Sequence, residues 1–340
     1  LESAMEFAND QLVPLAASGD RDGCRLLNGQ VALPPGSREI YKQWCELGFP
    51  ALGLPVAIEG LGLPRTVQSA VQELCDGANL ALGMLCINLR CAALALLKSA
   101  TAEQQARWVP GLVSGQLAST IVISEPQAGS DVGRITTMAH PAADGHYALT
   151  GSKIWISYGD HDATDNILHL VLARLPGSET GSRGLSLFAV PKLLDGKNNS
   201  VHVLRLEHKM GLHASPTCVL EFQQASGELI GEAGRGLQAL FVMMNNMRLA
   251  VAVQGAAVAN AAMLQAWNYA SERPQGGHAL ALPVNIIQHA DVQRMLLEMT
   301  ADSELMRALA LRTASMLDTA EALATTAVSV EKSSASAWLK

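Results

Sequence analysis

The chain has 340 residues, enough for two or three domains; 49% of them are hydrophobic and only 4% aromatic, and Ala and Leu occur throughout. That bias favours helices. A formal net charge of −7 argues against a broad nucleic-acid-binding face. Six cysteines (Cys24, Cys45, Cys75, Cys86, Cys91 and Cys218) show neither CxxC nor zinc-ligand spacing, so they read as buried thiols in a reducing compartment. No charged-then-apolar leader points to secretion. The sequence starts at Leu1 and stops at Ala-Trp-Leu-Lys, and both ends read as cut.

Residues 1–118 read as a helical region with Pro/Gly interruptions. Ser37–Leu47 is a short helix, Pro55–Pro64 a loop, and Thr66–Leu97 carries two apolar helical patterns. Thr101 caps a further helix. From 119 to 232 the texture changes to short Val/Ile/Thr/Leu runs between Gly/Asp/Ser/Pro turns: 119–124, 145–156, 167–173, 184–190, 201–206 and 218–222. Such runs without long intervening helices predict an antiparallel barrel or sandwich. From 233 to 340 the helical texture returns. Arg235–Ala270 forms one long helix, His278–Pro283 breaks the chain, Ile286–Asp318 forms a second helix and a third begins near Ala320. The uncharged stretch Leu249–Ala270 is long enough to cross a bilayer. Its Gln254, Gly255, Asn260, Gln265 and Asn268 instead suggest a helix buried in a bundle, and no integral membrane segment is expected. The fold class is therefore α+β: an N-terminal helical domain, a central antiparallel β-barrel domain and an incomplete C-terminal helical bundle.

Two segments carry chemistry. In Ile123-Ser-Glu-Pro-Gln-Ala-Gly-Ser130-Asp131-Val132 a strand ends in a Pro/Gly loop with two hydroxyls. Such a loop can offer donors to a phosphate or a heteroaromatic ring, and it can equally be a plain turn. In Gly151-Ser-Lys-Ile-Trp155-Ile156-Ser157 strand alternation puts Trp155 and Ser157 on one face, where they would meet a planar cofactor or pack as core. His161, Asp162 and Asp165 sit in a turn and read as a solvated loop rather than a metal site. The nine histidines form no HxxxH or HxH set, no metal is expected, and no Gly-x-Ser-x-Gly elbow occurs.

Together the two segments resemble the acyl-CoA dehydrogenase family, whose middle domain carries a Thr-Glu-Pro-x-Ala-Gly-Ser-Asp loop and a Lys-x-Trp-Ile-Thr/Ser strand. The resemblance continues in order at Gly62-Leu63-Pro64, Glu103-Gln-Gln with Trp108-Val-Pro110 and Ser114-Gly115, His208-Lys209-Met210-Gly211 with Ala214-Ser215, Gly231-Glu232 with Gly234-Arg235-Gly236, and Tyr269-Ala with Glu272-Arg273. The Ala-Ser-Pro-Thr-Cys and Met-Met-Asn-Asn-Met-Arg-Leu segments are similar to a subgroup with long C-terminal extensions that includes 3-(methylthio)propanoyl-CoA dehydrogenases.

The resemblance implies an FAD enzyme that dehydrogenates an acyl-CoA thioester across its α and β carbons. Ile123 and Ser124 match positions at the flavin ring, and Ser130 matches a serine near the FAD pyrophosphate and the CoA moiety. Trp155 matches the tryptophan against the flavin, and Ser157 the donor to flavin N5. Arg273 matches an arginine reaching the partner subunit's FAD; its fork suits a pyrophosphate. Asn245 and Arg248 match positions that hold the CoA end. Electrons would pass to an electron-transfer flavoprotein, and the shared cofactor implies a homodimer or homotetramer in a bacterial cytoplasm or organelle matrix. There are departures. Met247 stands where some members carry the catalytic Glu, and no Tyr-x-Glu-Gly-Thr-like loop precedes Lys340, so the base is expected beyond Lys340. Glu321 and Glu331 lack that context, Pro274-Gln-Gly-Gly277 replaces a Thr-Phe-Gly run, and His213 replaces a common arginine. A flavin oxidase or monooxygenase on the same scaffold, and a non-catalytic acyl-CoA-binding or assembly subunit, are the alternatives.

Overall fold

The computed structural model describes residues 1–143, 145–279 and 282–325; Glu331 lies outside them. In chain order the elements begin with α1 (Glu2–Phe7), a π turn (Ala8–Leu12), α2 (Val13–Asp22), a small hairpin of β1 (Arg25–Leu27) and β2 (Gln30–Ala32), and α3 (Ser37–Glu46). Next come α4 (Arg65–Ser99), α5 (Ala102–Ser114), β3 (Leu117–Val122), β4 (Met138–Pro141), β5 (Tyr147–Ser157), β6 (Asn166–Arg174) and β7 (Leu185–Pro191). The chain continues through β8 (Leu193–Leu194), β9 (Lys197–Asn198), β10 (Val201–Leu206) and β11 (Thr217–Ile230) to α6 (Gly236–Glu272) and α7 (Ala290–Thr325). The capping Thr101 is present as a full capping box: Gln104 N donates to its hydroxyl, and Thr101 N donates to the Gln104 side chain. The third C-terminal helix expected from Ala320 is instead a continuation of α7. Asp318-Thr-Ala-Glu-Ala contains neither Gly nor Pro to stop it.

The chain forms two compact units. One comprises Gln11–Leu63 and Ala81–Met247. Its centre is a seven-stranded sheet in the order β10-β11-β5-β4-β6-β3, with β7 pairing β11 and β6. This corrects the expected antiparallel barrel to a mixed sheet. β3 runs parallel to β6 from Leu117↔Asn166 to Val122↔Val171, and β4 meets β6 in parallel at Met138↔Arg174. Its core interdigitates Val122, Leu149, Ile156, Val171, Phe188, Leu220 and Phe222. Strand β6 is apolar on both faces, which suits a strand covered on both sides.

The other unit comprises Leu1–Asp10, Pro64–Leu80 and the described residues from Arg248 onward. Leu249 and Val253 of α6 pack on Ala310, Ala314 and Leu317 of α7. Asp318 of α7 caps the start of α4. Its carboxylate accepts from Arg65 N at 2.7 Å, Thr66 N at 3.1 Å and the Thr66 hydroxyl at 2.7 Å. Arg307 of α7 also pairs with Glu73 at 2.6 Å.

Helices α4 and α6 are long and apolar enough to cross a membrane by length and composition alone. The apolar window of α4 is 78% buried inside the structure, that of α6 only 28%. The buried-helix expectation for Leu249–Ala270 thus holds on one face, through Leu249, Val253, Ala257 and Met263, whereas Val251, Val258, Leu264 and Tyr269 are exposed.

The cap from Asp318 gives a direct test. Asp318→Ala should cost about 1–2 kcal/mol in denaturant unfolding, the range for a lost helix N-cap, whereas Thr319→Ala, on an exposed side chain one residue on, should be near neutral.

Candidate functional site

The segment 123–137 leaves β3, turns back and enters β4, and its shape is set by one buried ion pair. Lys153 is 0% exposed and Glu125 2%, and their charges meet at 2.9 Å. A lysine in a strand core must be fully satisfied. Lys153 Nζ also donates to the carbonyls of Ile123 (2.9 Å) and Leu172 (2.8 Å), so all three of its protons have acceptors. Glu125 in turn accepts from Thr136 N (2.7 Å), the Thr136 hydroxyl (2.8 Å), Thr137 N (3.0 Å), the Thr137 hydroxyl (2.5 Å) and Gln127 Nε2 (2.5 Å). Burial alone would raise the Glu125 carboxyl; Lys153 and the threonine donors outweigh it and hold the group down at about 2. Burial pushes the Lys153 amine down to about 8 against the opposing pull of Glu125. Both groups are charged at neutral pH. A Cβ at Gly151 would run into Thr137, so this position of β5 takes only glycine while the threonines reach the carboxylate.

The same strand carries the aromatic of the site. Between Cys218↔Ile156 and Leu220↔Lys153 the register of β5 against β11 slips, which marks a bulge. At the bulge Trp155 has φ +61°, a left-handed conformation that bulky residues rarely adopt, and the residue is 57% exposed. Ile156, between Trp155 and Ser157, is buried, so Trp155 and Ser157 share the outward face as alternation predicts. Ile154 N donates to Ser124 O at 2.9 Å, which ties the loop after β3 to the bulge. Ser124 and Ser157 are both half-buried, and neither hydroxyl has a hydrogen-bond partner among the described residues. Ser130 is exposed farther along the loop.

Among the sequence-derived site residues, the structure gathers Ile123, Ser124, Trp155 and Ser157 at the junction of β3 and β5, with Ser130 on the loop between β3 and β4. Asn245 is exposed on α6 of the same unit. Arg248 and Arg273 belong to the other unit, and both are exposed. Arg273 ends α6: its N–H donates to Tyr269 O at 2.9 Å and its carbonyl accepts from Ile286 N at 2.8 Å. His213 makes a local clamp, with Nδ1 3.0 Å from Asp20 Oδ1. In the 161–165 turn Asp162 and Asp165 are exposed, as a solvated loop requires, but His161 is not. His161 is buried, and burial together with Lys192 pushes it down to about 3. The turn anchors the N-terminal hairpin: Val31 N donates to Asp160 at 2.9 Å and Leu33 N to Asp162 at 3.0 Å. Among the described residues no group of three or more His, Cys, Asp or Glu could hold a metal ion. Glu125 and Lys153 lay inside the quoted motifs without being singled out. A lysine flanked by strand residues, with Glu in the preceding motif, was the available signal.

Three family models match in succession along the chain: "Acyl-CoA dehydrogenase, N-terminal domain" at residues 1–116, "middle domain" at 120–225 and "C-terminal domain" at 234–340. The chain belongs to the acyl-CoA dehydrogenase family. It is 43% identical over 332 residues to a 3-methylmercaptopropionyl-CoA dehydrogenase of Ruegeria pomeroyi, covering 94% of this chain and 56% of that protein. It is 36% identical to the broad-specificity linear acyl-CoA dehydrogenase FadE5 of Mycobacterium tuberculosis, covering 86% of this chain and 50% of that protein. The chain therefore spans about half the length of these curated relatives. Among solved structures, a glutaryl-CoA dehydrogenase in complex with glutaryl-CoA superposes with TM-score 0.78 at 26% identity, over 93% of this chain and 75% of that one. An acyl-CoA dehydrogenase of Bacillus anthracis complexed with FAD superposes with TM-score 0.79 at 23% identity, over 94% and 50%. In this member of the family, then, the Ser-Glu-Pro loop and the Lys-x-Trp strand are bound to one another by their own charges.

The pair predicts an acid-labile unit. Glu125 is held below its ordinary value near 4.3, so its contribution to stability is complete above that pH and is lost as pH falls through about 2. Glu125→Gln leaves a buried, unpaired Lys153 and should cost about 3–5 kcal/mol at pH 7. The gap between wild type and variant should narrow on acidification from pH 4.5 towards 2. Urea unfolding across that window measures it.

Proposed function

We propose that this chain binds FAD and carries out α,β-dehydrogenation of an acyl-CoA thioester to the trans-2-enoyl-CoA. The observation that carries the reading is Trp155: a large indole held outward on a strained bulge, flanked by the two unpartnered hydroxyls of Ser124 and Ser157. Strain of this kind costs about 1–3 kcal/mol and persists where a site uses it. The donor set fits a flavin. The indole offers a flat apolar face, and the hydroxyls can donate to ring heteroatoms. When bound, the flavin supplies the hydride acceptor. Ile123 and Ser124 hold the ring from the β3 end, Ser157 from the β5 end, and Ser130 serves the pyrophosphate and the CoA moiety. Asn245 and Arg248 hold the CoA end, and Arg273 reaches the partner subunit's FAD, where its fork suits a pyrophosphate.

Removal of the α proton needs a general base near neutral pH, in this family a carboxylate. Met247, at the position preceding Arg248 on α6, cannot accept it, so the base comes from elsewhere in the protein. Identity of 43% to a 3-methylmercaptopropionyl-CoA dehydrogenase supports a short thioether acyl-CoA as the first substrate to try. Electrons would pass to an electron-transfer flavoprotein. The exposed apolar residues of α6 (Val251, Val258, Leu264) support a homodimer or homotetramer, and such residues are more simply covered by protein than by lipid. The reading also takes the chain as three domains, 1–118, 119–232 and 233–340, acting in a bacterial cytoplasm or an organelle matrix.

A visible spectrum tests the reading. The full-length protein should show flavin bands that bleach on anaerobic addition of 3-(methylthio)propanoyl-CoA or another acyl-CoA. A protein that takes up no FAD would overturn it. Rapid return of colour in air would favour an oxidase.

Trp155→Asn places a residue tolerant of left-handed backbone at the bulge. The apoprotein should keep its stability or gain about 1 kcal/mol, while flavin retention on gel filtration falls.

A further inference from the structure

We infer that Arg174 is a positioning residue: it fixes the loop carrying Ser130 against the neighbouring turn at 179–184, and through that loop it sets how tightly the protein holds its acyl-CoA. The second half of this inference rests on the function proposed above; the first half does not.

Arg174 is the last residue of β6, and its backbone is pinned there. Its N–H donates to Thr137 O at 2.9 Å, and it pairs with Met138 of β4. From that fixed base the guanidinium reaches four carbonyls in two separate segments. Nε donates to Ile135 O at 2.7 Å, one terminal nitrogen to Gly133 O at 2.5 Å and Gly181 O at 2.8 Å, and the other to Glu179 O at 3.0 Å. The acceptors are all neutral backbone groups, so the residue works as a multi-pronged donor rather than as half of a salt bridge. Only a planar fork with five N–H groups can serve acceptors spread this way.

Two glycines let the chain approach it closely. A Cβ at Gly184 would strike the Glu179 carbonyl and the Arg174 guanidinium, and a Cβ at Gly133 would lie 3.3 Å from Gly181 Cα. The loop is thus anchored twice. Glu125 holds its start and its end at Thr136 and Thr137, and Arg174 holds 133–135. Between these anchors stand Gly129, Ser130 and Asp131, all exposed; among the described residues the one side-chain bond there is the exposed Asp131–Arg134 pair at 2.8 Å. Removing Arg174 frees one side of the span that presents Ser130 while leaving the sheet paired.

The test is Arg174→Lys in the full-length holoprotein. Lysine keeps the charge but has a single nitrogen and cannot reach all four carbonyls. Hydrogen–deuterium exchange should quicken by about ten-fold or more at 129–135 and 179–184, with β5 and β11 unchanged. KM for the acyl-CoA that bleaches the wild type should rise by about ten-fold with kcat within about two-fold, the pattern of lost ligand holding rather than lost chemistry. Unchanged exchange in the two loops would overturn the positioning role. Faster exchange across the whole sheet, with a fall in kcat equal to the rise in KM, would make Arg174 a general structural residue and overturn it as well. Loosened loops with KM unmoved would overturn the link to ligand binding. If no acyl-CoA bleaches the wild type, the function proposed above fails, and the exchange result still decides whether Arg174 positions the loop.

Discussion

The site depends on a lysine and a glutamate removed from water together. Lys153 sits on the inward face of a central strand and Glu125 on the loop that follows β3, and neither could be buried without the other. A buried pair of this kind contributes little net stability compared with apolar packing, because desolvation offsets most of the attraction. What it fixes is position. Lysine has three protons and a carboxylate has several lone-pair sites, and here each is matched to a named backbone or hydroxyl group. The loop therefore has one low-energy shape, and the residues beside it, Ser124 on one side and Trp155 on the other, inherit that precision.

The bulge in β5 follows from the same constraint. Lys153 must point inward to meet Glu125, and Ile156 must point inward to fill the core. Two inward residues three apart cannot both be accommodated by a regular strand, whose period is two. The strand absorbs the mismatch with one extra residue, and the left-handed backbone falls on Trp155. The exposed indole is thus a geometric consequence of where the charged residue and the core residue lie, and its strain is sustained by the ion pair on one side and the core on the other.

Much of this was legible in the sequence, for local reasons. The helical, β, helical order follows from composition and periodicity, and Thr101 with Gln104 announces its capping box. Trp155 and Ser157 were rightly placed on one face, because Ile156 between them points into the core. Strand direction was not legible. The parallel pairing of β3 with β6 is a property of two segments more than forty residues apart, and nothing in either short run encodes it. The second C-terminal helix was read as ending at Asp318, where no Gly or Pro supplies a stop, and α7 runs on through Ala320. His161 looked solvated beside Asp162 and Asp165, which are indeed exposed, yet its own ring is buried where Asp160 and Asp162 accept from the N-terminal hairpin. Arg174 gave no signal, since its acceptors are carbonyls, which every residue has.

That last point bears on how such a loop can be read at all. A motif resemblance points to side chains, so Ser124, Ser130 and Trp155 stand out as candidates for ligand contact. The residues that hold those side chains still act through backbone groups and leave no pattern of partners. In this protein the loop is held by a carboxylate at its start that accepts amide and hydroxyl protons from Thr136 and Thr137, and by a guanidinium that donates to the carbonyls of Gly133 and Ile135 just before them. The two anchors are of opposite charge and address opposite halves of the peptide group, so neither can substitute for the other. A loop held by both resists displacement in either direction. Under the proposed function this suits a segment whose exposed Ser130 would meet an anionic ligand at a fixed place while its neighbours stay open to solvent.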